Sequence, residues 1–570
     1  MSAHPSRIPA TPRAELDRAV AALAAGKARW ANVTARQHVE LLGRLSERFA
    51  EVADRWVDAC LEAEGIPPAH PMAGEEWLAG PYLVLRNLRL LAASLADVAA
   101  GQRPRLPGPV THRPGGQAAA QVFPASLYDR LFFPGVTAEV WLEAGVTPEN
   151  LGETQAVPYF EGAEPGLCLV LGAGNVSSIG PMDALYKLFA ERKVVLFKAH
   201  PVNDYLGPLL AEAFGPLIEE DALRVVYGGA EEGEYLTRHP EVDEIHITGS
   251  DKTVEAIVFG AGEQGAQRKA ERRPLLAKAI SSELGNVSPV LIVPGPWSRR
   301  DLVYQAENLV SMLANNAGFN CNAARVLITS RAWPQRQELL EEIRRQLRSI
   351  PTRLPYYPGA RERWQRFVDA HPQAETFGDT RFDRLPWTLI PNLDAEREDE
   401  ICFTTEAFAP VFAEVPLPGQ SAAEFLAGAV EFANQRLWGT LNATLVVHPA
   451  TLREESAERA FEQALADLEY GTVTVNHWAA VGYGLVVTPW GAYPGSDLYD
   501  IQSGEGFVHN SYLFSRIEKS VVYSPFRAFP KPPWFVSHKT SRQLGRALTF
   551  FEKDPSATRL PGIFRLALAG

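Results

Sequence analysis

Cysteine is scarce: the 570 residues hold four, Cys60, Cys168, Cys321 and Cys402, with no CxxC pair and no regular spacing. This excludes a disulfide framework and a cysteine zinc site, and it fits a reducing cytoplasm. Positive charge is also in deficit, with 55 Lys and Arg against 68 Asp and Glu and a formal net charge of −13. Phosphate backbones select the opposite sign, so nucleic acid is excluded as the main partner. No stretch of about 18 apolar residues occurs, so no spanning helix is expected. The N-terminal MSAHPSRIPATPRAELD carries charge and proline where a signal peptide needs an apolar run, which predicts a soluble chain that is not exported. What is present is ordinary globular composition, 46% hydrophobic and 22% charged. The length exceeds one hydrophobic core and predicts two or three packed domains.

Apolar residues at three- and four-residue spacing predict helices over 14–99, closed by GIPPAHP. The segment 101–117 holds four Pro and four Gly and marks a boundary, since it suits neither a helix interior nor a central strand. Between 166 and 292 short apolar runs alternate with amphipathic segments, the pattern of a parallel sheet with crossover helices. LCLVLGAG, KVVLFKAH, LRVVYGG and EIHITGS read as strands; MDALYKLFAERK and LGPLLAEAFGPLI read as helices. A second α/β stretch runs to about 480, with PVLIVPG, ARVLITS, LNATLVVHP and GTVTVNHW as strands. The last sixty residues differ from the rest, with ten Lys and Arg against three acids and several aromatics broken by FPKPPW.

Cys321 stands out among the four cysteines, because NNAGFNCNAARVLITS surrounds it with small and amide residues just before a strand. The other three lie in apolar or helical patterns that suit small buried hydrophobes. Upstream, Glu283 precedes a glycine and a strand in SSELGNVSPVLIV; taken alone it is equally a solvated cap.

Together these fragments resemble the aldehyde dehydrogenase superfamily over roughly residues 30 to 515. The family's E-L-G-G-x-S-P is similar to Glu283-Leu284-Gly285-Asn286-Val287-Ser288-Pro289, and N-x-G-Q-x-C to Asn316-Ala317-Gly318-Phe319-Asn320-Cys321. E-x-F-G-P-V resembles Glu406-Ala407-Phe408-Ala409-Pro410-Val411, and a later element resembles Asn434 with Trp438-Gly439-Thr440-Leu441. The segment from His239-Pro240 to Thr248-Gly249-Ser250 is the strongest single match. Departures are Asn286 for glycine, Phe319 for glutamine, Val254 for a glycine of the cofactor loop, and Ala173-Gly174-Asn175-Val176-Ser177 for P-W-N-F-P, which keeps only the amide.

The resemblance implies an α/β fold with a Rossmann-like cofactor domain, an α/β catalytic domain and a β-hairpin oligomerisation arm. The expected division is 1–117 as the helical part of the cofactor domain, 118–160 with 480–515 as the arm, 161–282 as the NAD(P)-binding domain, 283–479 as the catalytic domain, and 516–570 as a basic, aromatic extension. It implies oxidation of an aldehyde to a carboxylic acid, with Cys321 as nucleophile forming a thiohemiacetal and then a thioester. Asn175 and the Cys321 backbone N–H are the implied oxyanion donors, and Glu283 the base that activates water for hydrolysis. NAD or NADP is the implied cofactor, held by Lys198, Gly249, Ser250, Glu406 and Phe408. Pro201 stands where NAD-preferring relatives often carry an acid, which opens the site to NADP with Arg224 or His200 as partners for the 2′-phosphate. No metal is implied.

Two alternatives are a CoA-acylating dehydrogenase or acyl-CoA reductase, against which Glu283 argues, and a non-catalytic structural paralogue. A homodimer or homotetramer is expected. The extension is expected to pack over a neighbouring subunit, with TSRQLGRALTFFEK as an amphipathic helix at an anionic membrane surface the sharper reading. His477, Trp478 and Trp490 could equally line a substrate tunnel or fill a core.

Overall fold

The computed structural model describes residues 8–570. It opens with four helices, α1 (Arg13–Ala31), α2 (Ala35–Glu64), α3 (Gly74–Ala79) and α4 (Pro81–Ala99). Thr34 and Gln37 close a reciprocal capping box at the start of α2, and Gly65 ends that helix in the left-handed region at φ 67°. The α2 stripe Leu41, Leu45, Phe49, Val52, Trp56 is buried against α4.

The Pro/Gly-rich boundary leads into β1 (Val110–His112), a short edge strand, as prolines permit only there. β2 (Ala118–Phe123), α5 (Leu127–Phe132) and β3 (Thr137–Leu142) follow. The half expected to bind the dinucleotide, hereafter the nucleotide half, contains β4 (Leu167–Leu171), α6 (Ile179–Leu185), β5 (Val194–Lys198), β6 (Leu223–Val226), β7 (Glu244–Gly249), α7 (Asp251–Phe259) and β8 (Ala279–Leu284). Its parallel strands lie in the order β8-β7-β4-β5-β6, with Gly504–Glu505 antiparallel on β8. The chain therefore reverses direction across the sheet between β4 and β7, and such a switch point leaves a crevice beyond the strands' carboxyl ends. Two helical segments differ from expectation. MDALYKLFAERK continues past α6 as a π-turn over Tyr186–Ala190, and LGPLLAEAFGPLI breaks into Gly207–Ala213 and Gly215–Glu219, because Pro216 can only begin a helix.

The second half contributes β9 (Pro289–Ile292), α8 (Arg299–Ala314), β10 (Val326–Ser330), β11 (Glu375–Phe377), β12 (Trp387–Ile390), β13 (Val411–Leu417), β14 (Asn442–Val446), β15 (Thr472–Val475) and β16 (Ile517–Tyr523). They join the hairpin in one eleven-stranded sheet ordered β1-β2-β3-β16-β15-β14-β9-β10-β13-β12-β11. The late strand that completes the hairpin is thus β16, past the expected limit at 515. Residues 480–515 instead form a short helix and irregular chain, and Gly504–Glu505 pairs with the nucleotide half.

The extension folds onto its own chain. α9 (Ser541–Lys553) packs on α3 and α4 and buries Leu544, Thr549 and Phe551, while α10 (Leu560–Leu568) packs on α9 and against Phe132 of α5. Glu552 accepts hydrogen bonds from Arg86 at 2.8 Å and Arg89 at 2.8 Å, and Arg86 also pairs with Asp129 of α5 at 3.0 Å. TSRQLGRALTFFEK is the amphipathic helix expected, and within this chain its apolar residues Leu544 and Phe551 are buried. Among the described residues no helix is long and apolar enough to cross a membrane.

Candidate active site

Two cavities open from the crevice and meet at one place. A nucleotide-side cavity runs over the ends of β4, β5 and β7, and an apolar cavity runs toward α4 and the extension. Ile179, Thr248, Glu283 and Cys321 line both.

Cys321 is presented by an unusual turn. Asn316, Ala317 and Gly318 are consecutively left-handed, at φ 49°, 53° and 81°. For Asn and Ala this costs on the order of 1–3 kcal/mol each, so surrounding contacts must hold it. They do. The Asn316 backbone N–H donates to Glu75 at 3.0 Å, its amide donates to the Asn175 carbonyl at 2.7 Å, and its amide oxygen accepts from Tyr356 at 2.7 Å. Buried Arg325 donates to the Gly318 carbonyl at 2.6 Å and the Ala409 carbonyl at 2.8 Å. Beneath the cysteine, Ser288 and Asn442 each donate to its carbonyl at 3.2 Å, and Asn286 braces both of them. The departure Asn286 is therefore a strut of the turn. Phe319, the departure from glutamine, is fully buried among Tyr356, Tyr357 and Phe408.

Glu283 sits at the end of β8 and is 4% exposed. Its carboxylate accepts from the Trp490 indole at 2.8 Å, and it shares the junction of the two cavities with the Cys321 thiol. Burial raises Glu283 to about 8, against the lowering effect of Trp490. Burial, with Glu283 and Glu406 adding repulsion, pushes the thiol well above its ordinary value. At neutral pH the resting pair is therefore a thiol and a carboxylic acid. Cys60, Cys168 and Cys402 are buried, with thiols raised mainly by desolvation, and face neither cavity.

Asn175 lies on the nucleotide side of the thiol, and its amide donates to the Phe319 carbonyl at 2.9 Å. One of its two N–H groups is thus already used, because the left-handed turn points that carbonyl at the loop after β4.

The remaining residues named from the sequence converge on the nucleotide-side cavity. Lys198, Gly249, Ser250, Glu406 and Phe408 all line it. Ser250 caps α7, accepting from the Thr253 N–H at 3.2 Å, so the first turn of that helix faces the cavity. Lys198 donates to the Gly228 carbonyl at 2.6 Å, and burial lowers it to about 8. Glu406 is raised by burial to about 7, and its Oε1 is buried with no hydrogen-bond partner. Gly285 makes room for it, since a Cβ there would lie 2.0 Å from Glu406 Oε2. Val254 turns into the core with Ile247, Val258 and Phe259, so the lost glycine leaves the cavity wall unobstructed.

Two expectations need correction. Arg224 donates to the Ile218 and Leu223 carbonyls at 2.8 and 2.9 Å and does not line the cavity. His200 lines it but is neutral, since burial lowers it to about 4. Neither supplies a cation for a 2′-phosphate. Asn434 ties the Asp467 carbonyl and the Glu469 N–H, away from both cavities. His477, Trp478 and Trp490, left open between tunnel and core, line the apolar cavity with Tyr483. Thr248, which donates to buried Asp183 at 2.8 Å, was missed; the only signal was its place beside Gly249.

The profile described as "Aldehyde dehydrogenase family" matches residues 151–357. The 4-trimethylaminobutyraldehyde dehydrogenase A of Danio rerio is 24% identical over 388 residues, 61% of this chain and 67% of that protein. The N-succinylglutamate 5-semialdehyde dehydrogenase of Novosphingobium aromaticivorans is 28% identical over 164 residues, 29% of this chain and 32% of that one. Among solved structures, the NADP-dependent glyceraldehyde-3-phosphate dehydrogenase of Bacillus halodurans, complexed with NADP, superposes with TM-score 0.59 at 18% identity, covering 92% of this chain and 94% of that one. Aldehyde dehydrogenase C of Pseudomonas syringae, a mutant complexed with NAD+ and octanal, also gives 0.59 at 18%, covering 92% and 93%. At such identities the likeness is one of fold.

Proposed function

We propose that this chain is a member of the aldehyde dehydrogenase superfamily, which it resembles over residues 151–357 and in fold, and that it oxidises an aldehyde to a carboxylic acid with NAD or NADP. The observation that carries the reading is a single thiol, Cys321, set at the junction of the crevice and an apolar cavity that it lines together with the buried carboxyl of Glu283.

The crevice suits a dinucleotide. Glu406 Oε1 is an orphaned buried acceptor fitted to a ribose hydroxyl, the α7 N-terminus favours a pyrophosphate, and Lys198 stands beside the strand end. Lys198, Gly249, Ser250, Glu406 and Phe408 would hold it. When bound, it supplies the acceptor for a hydride. Cys321 attacks the carbonyl carbon as thiolate, its proton passing to a base, and the S–C bond creates the tetrahedral alkoxide from which hydride can leave. The free N–H of Asn175 and the Cys321 backbone N–H are the donors for that alkoxide. Loss of hydride leaves a thioester on Cys321. Glu283 as carboxylate takes a proton from water, which attacks the thioester and breaks the S–C bond, giving the acid and free thiol. Overall, aldehyde, water and oxidised cofactor give acid, reduced cofactor and a proton.

Reduced-cofactor formation over a panel of aldehydes tests the reading. Turnover is expected with the native chain and lost in Cys321→Ala; unchanged turnover in that variant overturns it. Pro201 removes a repulsive acid from the ribose position, so NADP is expected to serve at least as well as NAD. Steady-state kinetics with each cofactor decide this, and strong NAD preference would count against it. A homo-oligomer and a reducing compartment belong to the same reading; all four cysteines are unpaired, and light scattering measures the assembly.

A further inference from the structure

The apolar cavity is partly built by the part of the chain least like the rest. Its volume is about 200 Å³. One wall comes from α3 and α4, with Leu78, Tyr82 and Leu83, and another from Phe132 and Phe133 of the hairpin connection. The remaining wall is the extension, through Phe529, Trp534, Leu548, Ile563, Phe564 and Ala567.

This wall is anchored at both ends. Trp534 lies against His477 with ring centroids 4.9 Å apart, and the next residue, Trp478, donates to the carbonyl of Asn322, beside Cys321. Farther along, Phe551 and Phe564 meet Phe132 at 5.0 and 6.1 Å. Phe529 and Leu131 also line the cavity but are 74% and 38% exposed, which makes its rim apolar too.

The charged groups in the lining are already used: Glu283, where the two cavities meet, accepts from Trp490 at 2.8 Å. Glu75 pairs with Arg353 at 2.8 Å and accepts from Asn316, and Lys531 donates to Ser537 at 2.6 Å and faces Glu307 at 3.6 Å. The buried lining atoms without partners include only neutral groups on this side, the Trp534 indole N–H and the Asn322 amide oxygen. A substrate bearing a carboxylate, phosphate or ammonium would lose hydration here without gaining a counter-charge.

We propose that the C-terminal extension is the specificity-determining wall of the substrate cavity, and that the substrate is an uncharged aldehyde with a long or bulky apolar tail. This rests on the dehydrogenase reading above and adds to it the class of substrate. Each methylene that enters the cavity should raise kcat/KM by about fourfold until the wall is filled.

The test uses the full chain with linear alkanals from propanal to dodecanal, 4-trimethylaminobutyraldehyde and a carboxylate-bearing semialdehyde. Rising kcat/KM along the alkanals, above both charged aldehydes, is expected. Ala567→Trp, on the half-buried last helix, should lower kcat/KM for dodecanal at least tenfold and leave propanal within about twofold; Leu548→Trp, from the other extension helix, repeats the test should the first fail to fold. A flat series, preference for a charged aldehyde, or an equal fall for all chain lengths overturns the proposal. Protection of Cys321 from iodoacetamide, read by peptide mass spectrometry, gives a measure independent of turnover: dodecanol should protect more than propanol. Equal protection overturns the present inference, whereas no oxidation of any aldehyde overturns the dehydrogenase reading.

Discussion

The two cavities that meet at Cys321 are made differently. The nucleotide side is assembled from strand ends and the turns that follow them, so its residues come as short motifs: Lys198 ends β5, Gly249 and Ser250 close β7, and Glu283 lies in β8. The apolar side is assembled from surfaces contributed by α3, α4, the hairpin connection, residues 477–490 and the extension. Backbone geometry builds the first and side-chain burial the second. The first tolerates little change in residue type, while the second needs only apolar groups of fitting volume.

The largest effect should come where the cavities touch. Cys321→Ser is expected to lower kcat by at least about 10³-fold while leaving reduced-cofactor binding, followed by its fluorescence, nearly unchanged. Equal loss of both would erase the distinction between the two sides. Glu283→Gln should lower turnover about 10²–10⁴-fold and let an acylated Cys321 accumulate, visible by intact mass. In the native chain the base must be ionised; since Glu283 titrates at about 8, turnover should rise with pH through that value and fall below it. The glutamine variant should lose this limb of the profile.

The buried pair that pins the extension separates the cavities by stability. Glu552→Gln leaves Arg86 and Arg89 without their carboxylate, and breaking such a pair costs about 3–5 kcal/mol, measured by urea unfolding. Oxidation of long aldehydes should decline before cofactor binding does. The smallest effect concerns the nucleotide side alone: Lys198→Met should weaken cofactor binding by about tenfold, judged against the roughly 1.5–3 kcal/mol of a charged hydrogen bond, with the aldehyde KM unmoved. An altered aldehyde KM would mean that the two sides are coupled.

Much of this arrangement is legible in the amino-acid sequence. Short apolar runs located most strands, three- and four-residue spacing located the N-terminal helices, and Cys321, Glu283, Lys198, Ser250 and Glu406, named from motifs, line one crevice. What was missed has physical causes. The left-handed residues 316–318 depend on donors as distant as Glu75, Tyr356 and Arg325, and no spacing rule connects these. Asn175 is tied to a carbonyl whose direction that turn decides. Arg224, plausible as a phosphate partner, is held by its own neighbouring carbonyls. The limit at 515 fell one strand early because β16 is recognised by its pairing with β3 and β15, which is a property of other segments.

By itself the sequence determined the strand-and-helix order of the first α/β half, the family likeness and the candidate cysteine and carboxyl that meet where the cavities join, because each is encoded in residues close together along the chain and in the local geometry they prefer. Only the tertiary structure decided how the thiol is held, which carboxyls are driven toward neutral pH, and that a basic tail is the wall of an apolar cavity. Those outcomes depend on desolvation and on contacts between residues hundreds of positions apart, and burial is a property of the folded whole.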